Sequence, residues 1–323
     1  MGEPNPRVSV VAATRDRSAR LALLLESLRA QTAGLDTFEV VVVDDGSRDG
    51  TTDLLERERG RDGLHLRSIR REAPTGPAAA RNDGWHEARA PLVAFVDDDC
   101  VATPGWLTAL LSAADQAPGA IVQGRTLPNP AEAGMLGPFS RSQWVESLGP
   151  YYQACNILYP RDLLERVDGF DAEAFPALGG GEDTDLAWRA FEAGAEARWA
   201  PDALVHHAVA RPGPVGKLRI AARWTPSIRM FARHPDRRGE HLTYGLFWNG
   251  AHYLLVRALL GLALRRRARP LALWLAAPYA RHLLNRGRAE GGGPMAAPYY
   301  ALHDLVELFA VARGAVRYRT PVL

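Results

Sequence analysis

Four short clusters carry residue types able to do chemistry: Asp44-Asp45-Gly46-Ser47, Asp97-Asp98-Asp99, Glu182-Asp183 and His206-His207. Adjacent carboxylates repel one another, and a divalent cation relieves that repulsion. Hard cations such as Mg²⁺ and Mn²⁺ favour oxygen ligands and use one or two carboxylates together with substrate phosphates. In an extended stretch alternate side chains share a face, which would point Asp97 and Asp99 together and Asp98 away. The competing reading of such a run is a solvated acidic turn. Asp44-Asp45-Gly46-Ser47 suits either a turn or helix cap, or a carboxylate that accepts from a nucleobase or ribose. Glu182 and Asp183 open a helical pattern, where carboxylates suit the dipole whatever their function. Neighbouring strand residues face opposite ways, so only one of the paired histidines is expected to serve a site.

The elements that must position these residues alternate along the first two thirds of the chain. Val8–Ala12, Phe38–Val43 and Leu92–Val96 read as buried strands. Further strands are expected near Leu64–Ile69 and at Ala120–Val122, and Thr51–Glu58 reads as a weaker helix. Leu21, Leu24, Leu25 and Leu28 recur at helical spacing behind Ser18, a residue suited to an N-cap. Helices are also expected over Thr51–Glu58, from Pro77 through Trp85, over Pro104–Ala114 and over Asp183–Ala193, with Pro77 in a first turn. Strands alternating with helices indicate a mostly parallel, Rossmann-like sheet with helices on both faces. Ligands in such sheets bind beyond the strand carboxyl ends. Asp44-Asp45 and Asp97–Asp99 both follow such ends, which shifts the aspartate run from a solvated turn towards a metal site. A short strand at Ala195–Trp199 is expected to lead to the histidines.

Composition bounds the function classes. The chain has 323 residues, 47% of them hydrophobic, enough for a sizeable core. Two cysteines are too few for a disulfide framework, so a reducing, cytoplasmic setting is expected. The first residues lack a basic head followed by an apolar stretch, so no signal peptide is expected. Charge is divided unevenly: residues 1–210 hold 20 Lys and Arg against 32 Asp and Glu, and residues 211–323 hold 19 against 5. That division predicts an acidic domain over 1–210 and a basic, apolar helical region over 211–323. Ala12-Ala13-Thr14-Arg15-Asp16 follows the first strand where a nicotinamide enzyme would show Gly-x-Gly-x-x-Gly, and no phosphate-binding glycine loop is present. This excludes a dehydrogenase and counts against a sugar-phosphate nucleotidyltransferase.

A series of short motifs in the expected order resembles family 2 glycosyltransferases with the GT-A fold. They begin with Val10–Asp16 and Val43–Thr51, and continue through Gly76–Gly84 and Phe95–Cys100. Asn156, Gly169-Phe170-Asp171 and Gly181–Leu186 complete the set, so that the resemblance covers about residues 7–207. It implies an inverting transferase that moves a sugar from a nucleotide-diphosphate donor to a hydroxyl acceptor, either a glycan or a lipid-linked saccharide of cell-envelope type. UDP-sugars are the expected donors, with dTDP- and GDP-sugars as further options. Thr14, Arg15, Asp45, Arg81, Asp97 and Asp98 would bind the donor. Asp97, Asp99 and His207 would hold Mn²⁺ or Mg²⁺. Asp183 would be the catalytic base, with Glu182 shaping the acceptor pocket. Trp188, at helical spacing with Phe191, reads as core rather than as a sugar platform. The glycines at 179–181 suit either a closing loop or a simple turn. The alternative is a GT-A-like scaffold that binds nucleotide-sugars or assembles partners without turnover.

In the basic region, Leu246–Leu264 is near the length needed to cross a bilayer, but it contains Asn249, His252 and Arg257. An amphipathic segment lying on an anionic membrane face fits better, giving a cytoplasmic protein peripheral to the inner face of the cell membrane. The competing reading is a soluble helical appendage. No recognition motif accompanies the arginines, so nucleic acid is not an expected partner.

Overall fold

The computed structural model describes residues 6–175 and 180–323, which fall into two compact units. Gly179, part of the expected glycine loop, lies outside the described residues. The first unit comprises residues up to 133, 142–178 and 182–209; the second comprises 134–141, 179–181 and 210–323.

The first unit is built on eight strands: β1 (Val8–Thr14), β2 (Phe38–Asp44), β3 (Leu66–Arg70), β4 (Leu92–Val96), β5 (Cys100–Ala102), β6 (Ile121–Pro128), β7 (Asn156–Pro160) and β8 (Ala197–His207). They form one sheet in the order β3-β2-β1-β4-β7-β6-β8-β5. Pairings from β3 through β4 are parallel, β7 runs antiparallel to β4 and β6, β8 lies parallel to β6, and β5 is antiparallel to β8. Its helices are α1 (Ser18–Arg29), α2 (Thr51–Glu58), α3 (Pro77–His86), α4 (Trp106–Gln116), α5 (Arg161–Val167) and α6 (Glu182–Glu192). Every residue of β2 is buried, as expected of an inner strand covered on both faces. Alternate strand residues feed two separate cores. Val10, Val40 and Val42 pack with the leucines of α1, while Val11, Val41 and Phe95 pack with Trp85 and Leu186.

Three details differ from the sequence expectations. Ser18 is the first residue of α1 and not its cap: its N–H donates to the Asp49 carboxylate at 3.0 Å, a partner 31 residues away. Asp97–Asp99 form a turn between β4 and β5 and not a continuation of the strand. The short strand expected at 195–199 is the first half of the eleven-residue β8, which carries both histidines.

The length of β8 has a physical cause. Its register against β6 jumps from Gly124↔Ala200 to Arg125↔Leu204, leaving three surplus residues at 201–203. Such a bulge accommodates Pro201 inside a strand. The buried Asn156 side chain fills the gap, donating through Nδ2 to the carbonyls of Arg125 and Ala203, both at 2.8 Å, and accepting from Trp106 Nε1 at 2.8 Å. Gly124 makes room for it, since a Cβ there would stand 2.4 Å from Asn156 Nδ2.

The second unit is helical, with α7 (Gly213–Ala221), α8 (Ile228–Arg233), α9 (Arg238–His241), α10 (Gly250–Leu264), α11 (Arg269–Ala289) and α12 (Ala297–Tyr318). Among the described residues no helix is long and apolar enough to cross a membrane.

Candidate active site

Four chain segments of the first unit converge on the carboxyl end of β4. The turn after that strand contributes Asp97, Asp98 and Asp99, α3 contributes Arg81, α6 contributes Glu182 and Asp183, and the end of β8 contributes His207. Arg81 links them. Its guanidinium is buried; Nη2 donates to Asp97 Oδ1 at 2.8 Å and Nη1 to Asp183 Oδ1 at 3.3 Å, with Glu182 Oε1 at 3.7 Å. Burial works against the charge on Arg81, but Asp183, Asp97 and Glu182 outweigh it and hold the guanidinium firmly protonated.

The base candidate is held from two sides. Asp183 Oδ2 accepts from the Ala154 N–H at 2.9 Å, while Oδ1 faces Arg81. Next along α6, the Thr184 hydroxyl donates to the Tyr151 carbonyl at 2.8 Å, tying residues 151–154 to the start of the helix. Burial pushes the Asp183 carboxyl above the usual carboxylate range despite Arg81 and the Ala154 N–H. Glu182 is pushed to about 7 by burial and by the charges of Asp183 and Asp97, and its Oε2 has no hydrogen-bond partner among the described residues. A carboxylate with raised proton affinity, fixed in position, suits general-base chemistry.

On the other side, His207 Nε2 lies 3.3 Å from Asp99 Oδ1 and 3.8 Å from Asp97 Oδ2. Its Nδ1 is 2.9 Å from the Ala208 carbonyl and can donate to it, which orients the ring with Nε2 towards the aspartates. Asp99 Oδ1 is buried without a hydrogen-bond partner among the described residues. Two carboxylates, an orphaned oxygen and an oriented imidazole fit a divalent cation. Among the described residues the set with ligand atoms within 4.8 Å of one another is Asp99, Cys100 and His207, without Asp97. Burial, however, pushes the Cys100 thiol well up, and it contacts the Cys155 carbonyl inside the core, so the oxygen ligands suit a hard cation better. His206, the other half of the pair, is not among the groups facing Asp97 and Asp99; burial lowers its proton affinity.

The remaining expected residues have structural partners of their own. Asp98 is buried and pushed up to about 6 by that burial, with Arg17 opposing. Thr14 is buried at the end of β1, and Arg15 is half-exposed with Nε 3.6 Å from Asp16. Asp45 accepts from the N–H groups of Thr75 and Gly76, both at 2.9 Å, and so fixes the entry to α3. Trp188 is fully buried and belongs to the interior. Two neighbours of the site went unread in the sequence. Arg17 Nη1 donates to Asp98 Oδ1 and Asp99 Oδ2, each at 2.9 Å. Glu132 pairs with Arg20 and accepts from the Val209 N–H at 2.7 Å, bracing the backbone just beyond His207.

Known proteins resemble this chain in sequence and in fold. The family described as Glycosyl transferase family 2 matches residues 9–167. The front of the chain is a family 2 glycosyltransferase domain. Validoxylamine A glucosyltransferase of Streptomyces hygroscopicus subsp. jinggangensis is 32% identical over 219 residues, covering 57% of this chain and 51% of that protein. Pre-mycofactocin glycosyltransferase of Mycobacterium tuberculosis is 30% identical over 252 residues, covering 73% and 50%. The chain thus spans about half the length of these curated relatives. Among solved structures, the Pyrobaculum calidifontis mannosyltransferase PcManGT with GDP-Man and Mn²⁺ superposes with a TM-score of 0.68 at 22% identity, covering 94% of this chain and 87% of that one. S. aureus TarS 1–349 with UDP-GlcNAc gives 0.54 at 18% identity, covering 97% and 92%. At such identities the likeness establishes the GT-A fold. The matched segment carries Arg81 and the acidic turn, while the α6 carboxylates and His207 lie beyond it in the same compact unit.

Proposed function

We propose that the chain is an inverting glycosyltransferase that moves a sugar from a nucleotide-diphosphate donor to a saccharide or lipid-linked hydroxyl acceptor. One observation carries this reading: Arg81 holds Asp97, on the metal-ligand side, and Asp183, on the base side, in a single ion-paired cluster. Asp97, Asp99 and His207 would hold Mn²⁺ or Mg²⁺, which when bound neutralises charge on the departing nucleoside diphosphate. Asp183 receives the acceptor hydroxyl's proton as that oxygen attacks the anomeric carbon and the bond to the diphosphate breaks. The Ala154 N–H and Arg81 keep its carboxylate aimed while this happens. Thr14, Arg15, Asp45 and Asp98 would shape the nucleotide and ribose side, and Glu182 the acceptor side. The ligands of PcManGT and TarS contain different nucleotides, so the donor screen must span UDP-, dTDP- and GDP-sugars.

Calorimetry with each donor, with and without Mn²⁺, tests the reading. One nucleotide class should bind with metal present, and Asp99→Ala should abolish the metal response. A metal response unchanged by Asp99→Ala would remove Asp99 from the ligand set. Absence of binding by every donor under both conditions would return the chain to the scaffold reading.

A further inference from the structure

Residues 241–289 contain eight arginines and neither aspartate nor glutamate. Four of the arginines, Arg265, Arg266, Arg267 and Arg269, lie at the turn from α10 to α11. These helices pack closely. A Cβ on Gly261 would stand 2.7 Å from the Ala272 carbonyl oxygen and 3.1 Å from Leu275 Cβ, so the missing side chain permits the approach. The apolar residues nearest the turn stay largely outside that contact. Leu260, Leu262, Leu273 and Trp274 are 56%, 55%, 71% and 65% exposed. Arg257 stands 4.9 Å over the Trp274 ring. Soluble surfaces seldom gather large apolar side chains in this way without a partner.

The partner must accept arginines at the turn together with the exposed apolar side chains on the two helix ends that flank it. A second copy brought tip to tip would oppose arginine with arginine, with no acid from 241–289 to separate them. An anionic lipid headgroup layer over acyl chains meets both requirements. α10 buries His252 and Leu255, so the exposed large apolar side chains of Leu246–Leu264 are those near the turn, Leu259, Leu260 and Leu262. We propose that the α10–α11 turn is a membrane-docking tip: Leu260, Leu262, Leu273 and Trp274 enter the interface while the four arginines engage anionic headgroups. This inference does not depend on the transferase reading.

The test is co-sedimentation of the full chain with phosphatidylcholine vesicles, with and without phosphatidylglycerol, at low and high salt. The chain should pellet with the anionic vesicles alone, and salt should weaken the binding. The double variant Leu273→Ser/Trp274→Ser should lose about tenfold or more of that binding. Arg265→Ser/Arg266→Ser/Arg267→Ser should lose the preference for anionic lipid. Circular dichroism checks that each variant is folded, and Leu260→Ser replaces the double variant if it is not. No pelleting with anionic vesicles, or variants that pellet like wild type, would overturn the proposal. So would light scattering that shows a vesicle-free dimer dissolved by the apolar variants, because the face would then belong to a second copy. Donor calorimetry on the same samples keeps a failed transferase reading separate from a failed docking tip.

Discussion

Buried charge is handled in opposite ways in the two units. In the helical unit Asp304 is buried with both oxygens satisfied, by the Tyr279 hydroxyl at 2.9 Å and Arg286 Nη1 at 3.0 Å. Arg286 reaches on to Glu290, which also accepts from the Tyr300 hydroxyl. In the catalytic unit five carboxylates crowd around Arg81, Arg17 and His207, and Asp99 Oδ1 and Glu182 Oε2 are left without hydrogen-bond partners among the described residues. A satisfied buried network specifies packing, whereas an unsatisfied one stores repulsion that a ligand can relieve. Loss of charge should therefore weaken the fold in the first network and the chemistry in the second.

The largest effect that sharpens this contrast is on turnover. Asp183→Asn should lower donor-dependent sugar transfer by about 10³-fold, within the range for loss of a general base. Donor affinity should barely change, as read by nucleotide release and calorimetry on the same protein. A variant that transfers at near wild-type rate would break the assignment. Next in size, Asp304→Ala should cost about 3 kcal/mol in urea unfolding, because it leaves the Tyr279 hydroxyl without its acceptor and takes one of two acidic partners from Arg286. Asp99→Ala, by contrast, should leave the melting temperature of metal-free protein unchanged or raised. Equal destabilisation by both would erase the distinction between the units.

The contrast extends to pH with opposite signs. Burial raises the Glu182 carboxyl from its ordinary 4.5 to about 7, so its contribution to stability is complete below 4.5 and is lost as pH rises through about 7. Asp304 and Glu290 behave in reverse. Burial opposes their charge, but His303, Arg286 and Tyr279 outweigh it for Asp304, and Arg286 and Lys217 do so for Glu290. Their contribution is present above their unfolded values and is lost as pH falls through the depressed folded ones. Metal-free protein should thus melt lower at about pH 8 than at about pH 5, and Glu182→Gln should flatten that slope. The smallest effect is expected for Arg17→Gln. Its half-exposed pairing with Asp98 and Asp99 should change stability by less than about 0.5 kcal/mol, while metal titration detects the altered competition for Asp99.

Local pattern carried much of this into the sequence. The apolar strands β1, β2 and β4 and the acidic residues at their ends are local signals, as is the helix that Glu182 opens. Partners far apart in the chain leave no such signal. Arg17 meets Asp98 and Asp99 across 81 and 82 residues, and Ala154 reaches Asp183 across 29. Pro201 and Asp202 interrupt the apolar alternation of β8, so local pattern stops near residue 199, and the Asn156 contacts show the strand resuming beyond them. Arg81 reads as one more helix arginine until three carboxylates surround it.

The bulge in β8 also bears on how such a site tolerates change. Its two halves are registered separately, the first against residues 121–124 of β6 and the second against residues 125–128 of β6 and against β5. Residues 201 and 202, both exposed, are the slack between them, while Ala203 is buried and held by Asn156. In an unbroken strand, one inserted or deleted residue would turn every later side chain to the opposite face and exchange His206 for His207. Here a length change can be absorbed in the slack while Cys100 keeps its place opposite His207.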